Sequence, residues 1–145
     1  MTTRAEVVAA ARRYMGARWS HQGRRDDAMD CGGLVIKVAH DLGLSDFDVS
    51  GYGMQATDES MLELCREHLV EVPQDAMAAG DIIVMRFGGN RHIGIVGDYK
   101  YGGLTVIHAQ TAHPRAVVES RLDADWLRMV KASVAACFSF PGVSA

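Results

Sequence analysis

Three side chains in this sequence of 145 residues have the types and the order that thiol chemistry uses: Cys31, His92 and His108. Cys31 lies in Asp30-Cys31-Gly32-Gly33-Leu34-Val35-Ile36, just ahead of apolar residues at helical spacing (Leu34, Val35, Val38, Ala39, Leu42) that stop at Gly43. The spacing predicts a helix from Cys31 to Leu42 with Asp30 as its N-cap, which sets the thiol in the first turn. Unpaired N–H groups and the helix dipole favour negative charge there, and such a site draws a thiol pKa from ~8.5 toward roughly 3.5–7.5. The same cysteine also reads as a small buried hydrophobe, which is what most free cysteines are. Gly32 and Gly33 tilt the reading toward a nucleophile. Each costs ~1 kcal/mol against Ala in a helical turn, and both make sense where something must approach the backbone beside the thiol.

The histidines lie on predicted strands. His92 opens the strand His92–Tyr99 after the turn Gly88-Gly89-Asn90, and His108 nears the end of Leu104–Ala109. Side chains alternate along a strand, so whether the two rings share a face depends on the hairpin register. Opposed residues have a constant sum of numbers, and an odd-length loop makes that sum even. A loop of three residues, Tyr101-Gly102-Gly103, would set His92 opposite Ala112 and His108 opposite Val96, both on one face. A slip of one residue would separate them. If both face the helices, His92 can act as base for the Cys31 thiol and His108 can orient its ring. Taken alone, His92 is also a surface residue at a strand start and His108 a satisfied core histidine. Cys31, His92, His108 and His113 are each possible zinc ligands, but their spacing matches no compact ligand pair, and no metal is expected.

These residues need elements to hold them. Thr3 to Met15 is predicted as a first helix, capped by Thr3 with Glu6 three residues on and ended by Gly16. Arg18 to Arg25 is expected to be a loop in which Trp19 either forms a wall of a cleft or simply anchors the connection, while His21 is expected to be exposed and idle. Ser45 to Gly53 reads as a loop, and Thr57 as the cap of a third helix carrying Met61, Leu62, Leu64 and Leu69, with Cys65 as packing. Pro73 to Gly80 is a turn. Strands follow at Asp81–Phe87, His92–Tyr99, Leu104–Ala109 and Ala116–Glu119, then a helical turn at Asp123–Val130 holding Trp126. A last strand, Ala132–Phe140, contains Cys137. Helices first and a strand meander after indicate an α+β fold, the helices packed on one face of an antiparallel sheet of about five strands.

At this length residues 1–145 are expected to form one domain. A net charge of −3 gives no basic face for nucleic acid. Three cysteines without CxxC spacing fit a reducing compartment better than a disulfide framework. Met1 to Tyr14 carries Arg4, Glu6, Arg12 and Arg13 and lacks the apolar core of a signal peptide, so synthesis in the cytoplasm is expected. No apolar run approaches a membrane span.

Asp30-Cys31-Gly32-Gly33-Leu34 resembles the D-C-x-G-L signature of the NlpC-type cell-wall cysteine peptidases, whose core is papain-like. Gly80-Asp81-Ile82-Ile83-Val84 and Arg91-His92-Ile93-Gly94-Ile95-Val96 resemble that family's G-D-[LIV] and H-[VI]-G-[IV] strands. Val106-Ile107-His108-Ala109 resembles its third segment, where a polar orienting residue stands. Gly16 to Leu34, with His21-Gln22-Gly23-Arg24, is most similar to the phage and gene-transfer-agent branch, whose members are tail-associated. The resemblance implies hydrolysis of peptide-stem amides in peptidoglycan, typically between γ-D-glutamate and a diamino acid, without a cofactor. It implies Cys31 as nucleophile, His92 as base and then acid, and His108 as orienter. Delivery to the wall by a phage-like particle, with tail proteins as partners, is implied in the same way. Substrate contacts are expected at Asp30, Trp19 and Gly32. Asp30 either recognises a substrate amine, as its family counterpart does, or only caps the helix. Many relatives have Ser where Gly32 stands, and an active-site tyrosine where this sequence has Trp19. Two other functions fit the same scaffold: a structural tail or hub protein with little activity, and a thiol amidase or acyltransferase.

Overall fold

Thr3 and Glu6 start the first helix as a reciprocal cap, the Thr3 hydroxyl accepting from the Glu6 N–H at 3.1 Å and the Glu6 carboxylate accepting from the Thr3 N–H at 3.2 Å. The structure is a computed structural model that describes residues 1–54 and 56–144. In it a two-residue strand β1 (Thr2–Thr3) leads into α1 (Arg4–Arg12). The helix stops before the expected Met15 because the Tyr14 and Met15 amides bond three residues back, to Ala11 and Arg12, tightening the last turn. Residues 18–29, of which Arg18 to Arg25 is expected to be a loop, form three short strands, β2 (Arg18–Trp19), β3 (Arg24–Arg25) and β4 (Ala28–Met29), in the order β2-β4-β3. Two-residue strands are too short for alternation to show in a sequence.

The helix that begins at Cys31 is α2 (Cys31–Asp41), and Asp30 caps it by accepting from the Gly33 N–H at 2.8 Å. α3 (Ser60–His68) is not capped by Thr57. Its N-cap position, Glu59, makes no side-chain cap, and the Asp58 carboxylate takes the Ser60 N–H at 3.0 Å and hydroxyl at 2.6 Å instead. Beyond it lie β5 (Val70–Val72) and a short 3-10 turn at Gln74–Ala76. β6 (Ile82–Phe87), β7 (Asn90–Asp98), β8 (Leu104–Ala109) and β9 (Val117–Arg121) then form the meander. α4 (Ala124–Met129), β10 (Ala132–Ser139) and β11 (Val143–Ser144) complete the chain, β11 pairing in parallel with β1.

The main sheet is antiparallel and has six strands, in the order β5-β10-β6-β7-β8-β9, not about five. The additional strand, β5, is a short edge segment with two exposed residues, so no buried alternation marked it. The expected α+β class holds, and the N-terminal helices share one face. There Val7, Val8, Leu34, Val38 and Leu62 pack against Ile82, Val84, Ile95 and Ile107. The other face is covered too: Ile83, Met85, Val96 and Val106 lie under Leu122, Trp126 and Leu127 from α4 and its approach. Asp81, buried just before β6, clamps the first helix to the last long strand. It accepts from Arg4 Nη1, from the Ser139 hydroxyl at 2.6 Å and from the Ala78 N–H at 2.9 Å.

The β7–β8 register pairs Val96 with Val106 and Asp98 with Leu104, closing through residues 99–103 with Gly102 and Gly103 both at positive φ. The loop is odd in length, as one shared face requires, but it holds five residues where three were expected. Continuing the register sets His108 opposite Gly94 rather than Val96. A Cβ at Gly94 would fall 2.7 Å from Val106 Cγ2, 2.9 Å from the Ile107 carbonyl and 3.1 Å from His108 Cβ. Gly94→Ala is therefore expected to cost about 1–3 kcal/mol by overpacking. Urea unfolding of the variant beside the parent checks this.

Candidate active site

The alternation of β7 and β8 sends His92 and His108 to the same side as Val96 and Val106. That is the face covered by α4, not the one carrying α1 and α2. The expectation that the two rings face the N-terminal helices is thus corrected. On this face a diagonal of polar side chains crosses three neighbouring strands: His92 on β7, His108 on β8 and Ser120 on β9. His92 Nε2 lies 2.7 Å from His108 Nδ1, and His108 Nε2 lies 3.1 Å from Ser120 Oγ. Trp126 and Phe87 close over the pair edge-on, Trp126 at 5.7 Å from the His108 ring and Phe87 at 5.2 Å from the His92 ring. Ser120 lies outside every sequence expectation because only the β8–β9 register reveals it.

Cys31 comes from the opposite layer. It opens α2 on the helix-covered side, and its sulfur meets the backbone N–H of Ile93, next to His92. Cys31, His92 and His108 all line one cleft of ≈ 1180 Å³, together with Trp19, Gly32, Asp30 and Trp126. No hydrogen bond joins Cys31 to His92 among the described residues, and His92 Nδ1 has no partner among them. Within the His92–His108 contact one nitrogen must donate and the other accept. If His92 donates from Nε2, its Nδ1 is left as an acceptor, and His108 can give its own Nε2 proton to Ser120. A chain of this polarity leaves Nδ1 as the basic nitrogen of His92.

Burial sets the charge states. It pushes the Cys31 thiol up to about 11, with the Ile93 N–H opposing and the Asp30 charge adding to the rise. The helix start was expected to lower this pKa; here desolvation outweighs it. Burial also pushes both imidazoles below their ordinary range, His108 to about 4, while for His92 the neighbouring His108 adds to the effect. At rest the thiol and both imidazoles are neutral.

Asp30 is 4% exposed and receives four donors. Oδ1 accepts from the Gly33 N–H at 2.8 Å and from Arg24 Nη1 at 3.2 Å, and Oδ2 accepts from the Gln22 N–H at 2.8 Å and the Tyr52 hydroxyl at 2.6 Å. Arg24 and Tyr52 were not singled out in the sequence. Tyr52 lies in an aperiodic loop, and nothing local to it marks its hydroxyl for Asp30. Gly33 does need to be glycine, since a Cβ would fall 2.5 Å from the Gly23 carbonyl. The close approach there is by the chain's own loop. At Gly32 a Cβ would meet nothing nearer than Asp30 Oδ1 at 4.0 Å, so its backbone simply opens to the cleft.

Trp19 is both anchor and wall. Its N–H bonds the Arg115 carbonyl at 2.8 Å, and its ring lies under the Arg115 guanidinium at 5.3 Å and 6.5 Å from the His21 ring. His21 is half-buried rather than exposed and idle, and meets Tyr52 edge-on at 5.6 Å. Cys65 and Cys137 are buried, as expected of packing residues. Among the described residues no group of three or more His, Cys, Asp or Glu side chains is arranged to hold a metal ion, and His113 is exposed.

A papain-like α+β layout, with a thiol at a helix start beside a strand-borne histidine pair, is the class these elements define. The NlpC/P60 family model matches residues 16–130, and the chain belongs to that family. Among solved structures it is similar to the NlpC/p60 domain of the peptidoglycan hydrolase SagA, at 20% identity and TM-score 0.64 over 95% of this chain and 99% of that one. It is similar to NlpC2 from Trichomonas vaginalis at 18% identity and TM-score 0.64, over 97% of this chain and 48% of that one. An N-acetylmuramoyl-L-alanine amidase from Bacteroides uniformis aligns at 12% identity and TM-score 0.58, over 93% and 97% of the two chains. No curated protein matches.

Two measurements follow from the charge states. Iodoacetamide should alkylate Cys31 ahead of Cys65 and Cys137, whose thiols burial pushes up to about 12 each. Because thiolate is scarce at rest, the Cys31 rate should keep climbing from pH 7 to 10, read by peptide mass mapping; a plateau by pH 8 would mean a lowered pKa. The depressed folded-state imidazoles stabilise the fold fully above the unfolded value of ~6.5 and lose that contribution as pH falls through it toward the folded values. Urea midpoints should therefore drop between pH 7 and pH 4.5, and drop less in His108→Asn.

Proposed function

We propose that this chain is a cysteine endopeptidase that hydrolyses peptide-stem amides of bacterial peptidoglycan, at the bond between γ-D-glutamate and a diamino acid. The observation that carries the reading is the meeting of Cys31 and the hydrogen-bonded His92–His108 pair on one cleft. Family membership and the likeness in fold to a peptidoglycan hydrolase support cell-wall hydrolysis. The scissile bond rests on the motif resemblance.

In this reading His92 Nδ1 takes the Cys31 proton as the sulfur attacks the scissile carbonyl carbon, and His108 holds the His92 ring in the tautomer that leaves Nδ1 basic. The sulfur forms a tetrahedral adduct, and an N–H at the start of α2 stabilises its oxyanion. His92 then gives the proton to the departing amine. Water, deprotonated by His92, hydrolyses the thioester and restores the thiol. A neutral thiol at rest means that proton transfer accompanies attack instead of preceding it, and substrate must bring Cys31 and His92 together, as catalytic contacts often tighten only on binding. The Gly16–Leu34 resemblance supports a further step in the proposal: the enzyme reaches the wall as part of a phage-like tail. The likeness in fold to an N-acetylmuramoyl-L-alanine amidase favours one second reading, cleavage at the glycan–peptide junction.

Digestion of defined muropeptides, with products identified by mass spectrometry, separates these outcomes. Release of a γ-D-glutamyl fragment supports the endopeptidase, and release of the whole stem supports the amidase. Cys31→Ala and His92→Ala should fold and lose at least about a thousandfold in kcat/KM, whereas His108→Ala should keep measurable turnover because orientation is only part of what the base supplies. Normal turnover per folded molecule in His108→Ala would remove it from the machinery.

A further inference from the structure

The cleft's charged side chains differ in what they have left to offer a ligand. Two of its three arginines already have carboxylate partners: Arg24 bonds Asp30 and Asp48, and Arg91 bonds Glu59 at 2.6 Å. Asp30 is buried with four donors on its two oxygens, and an ionised carboxyl has about four acceptor positions to give. Asp58 holds the backbone and hydroxyl of Ser60 and feels the charge of Arg91.

Arg115 is the exception. It is exposed and lines the same cleft, and its guanidinium has no hydrogen bond or ion pair among the described residues. It is nonetheless held in place. Its backbone has φ 55, a conformation that L residues rarely adopt, and is fixed from both sides: its N–H bonds the Ala112 carbonyl at 2.6 Å and its carbonyl accepts from Trp19. Its guanidinium lies over the Trp19 ring. Stacking occupies the face of a guanidinium and leaves the edge, where the N–H donors point, free for a planar anion.

We propose that Arg115, propped on Trp19, binds a free carboxylate of the peptide substrate, and that Asp30 binds no substrate amine. The proposal rests on the peptidase reading and adds to it the chemistry of selection. A γ-linked glutamate carries a free α-carboxylate close to the scissile amide, which supplies the anion. With every Asp30 acceptor position taken by the protein, a free N-terminus on the stem gains nothing, so capped and uncapped stems are equivalent substrates.

Four synthetic γ-D-glutamyl–diamino acid peptides test this: α-carboxylate or α-carboxamide, each with a free or an acetylated N-terminus. The parent should favour the carboxylate by ~3–10-fold in kcat/KM at low salt, the range of a part-exposed, charge-assisted contact, with the preference shrinking at 0.5 M NaCl. Acetylation should change kcat/KM by less than twofold. In Arg115→Gln the carboxylate-to-carboxamide ratio should fall to near one. Equal rates on the two forms, an unchanged ratio in Arg115→Gln, or loss of activity on acetylation would each overturn the proposal. Calorimetric affinities of the same peptides for Cys31→Ala keep the two readings apart. A carboxylate preference in binding without cleavage by the parent supports this inference and sinks the peptidase, whereas cleavage without preference does the reverse.

Discussion

A buried carboxylate needs donors, and the donors Asp30 collects come from α2 and from both loops on its side of the nucleophile. It caps α2 through the Gly33 N–H, fixes the turn at Gln22, pairs Arg24 and receives the Tyr52 hydroxyl. Arg24 in turn reaches Asp48 and the Val49 carbonyl, and the Gln22 side chain donates to the Tyr52 carbonyl while accepting from the Gly51 N–H. One ionised group thereby organises two stretches, 20–25 and 48–52, that have little or no sheet or helix of their own. Removing one partner of such a network leaves the others buried and unpaired, which is why buried polar clusters act as units. The wall beside Cys31 is tied together by this one network.

The histidine pair shows the opposite strategy, a polar group kept without charge. His92 and His108 lie on adjacent strands at a diagonal offset, under Phe87 and Trp126, where an imidazolium would be costly. Each ring settles its neighbour's tautomer, with Ser120 terminating the row. Cys31 follows the same rule, its helix start being overruled by desolvation. A site built so is organised in geometry and silent in charge until a ligand brings new groups into it.

The sequence made the fold legible wherever burial imposed a period. Leu34 to Leu42 marked α2, and the apolar runs around Ile83, Ile95 and Val106 marked the three central strands. The capping pair Thr3 and Glu6 was visible because both ends of the interaction lie within one turn. What escaped were features with no local period. The three strands between Arg18 and Met29 and the edge strand at Val70–Val72 are too short to alternate, and α3 begins on Asp58 and Ser60 rather than Thr57. Parity of the hairpin loop allowed the two histidines to share a face without requiring it, and it could not say which face, because that depends on what α4 covers. Tyr52 and Ser120 join the site through contacts across 22 and 12 positions of chain, and Arg24 reaches Asp30 across an aperiodic loop, none of which a local pattern encodes.

The chain has two tryptophans, and both line the cleft, Trp19 beneath Arg115 and Trp126 against His108. Each packs one side against the core and is only half-buried, which leaves the rest of the ring to the cleft. The molecule's tryptophan emission therefore comes entirely from the borders of one cleft, and it carries a label-free optical record of what enters there.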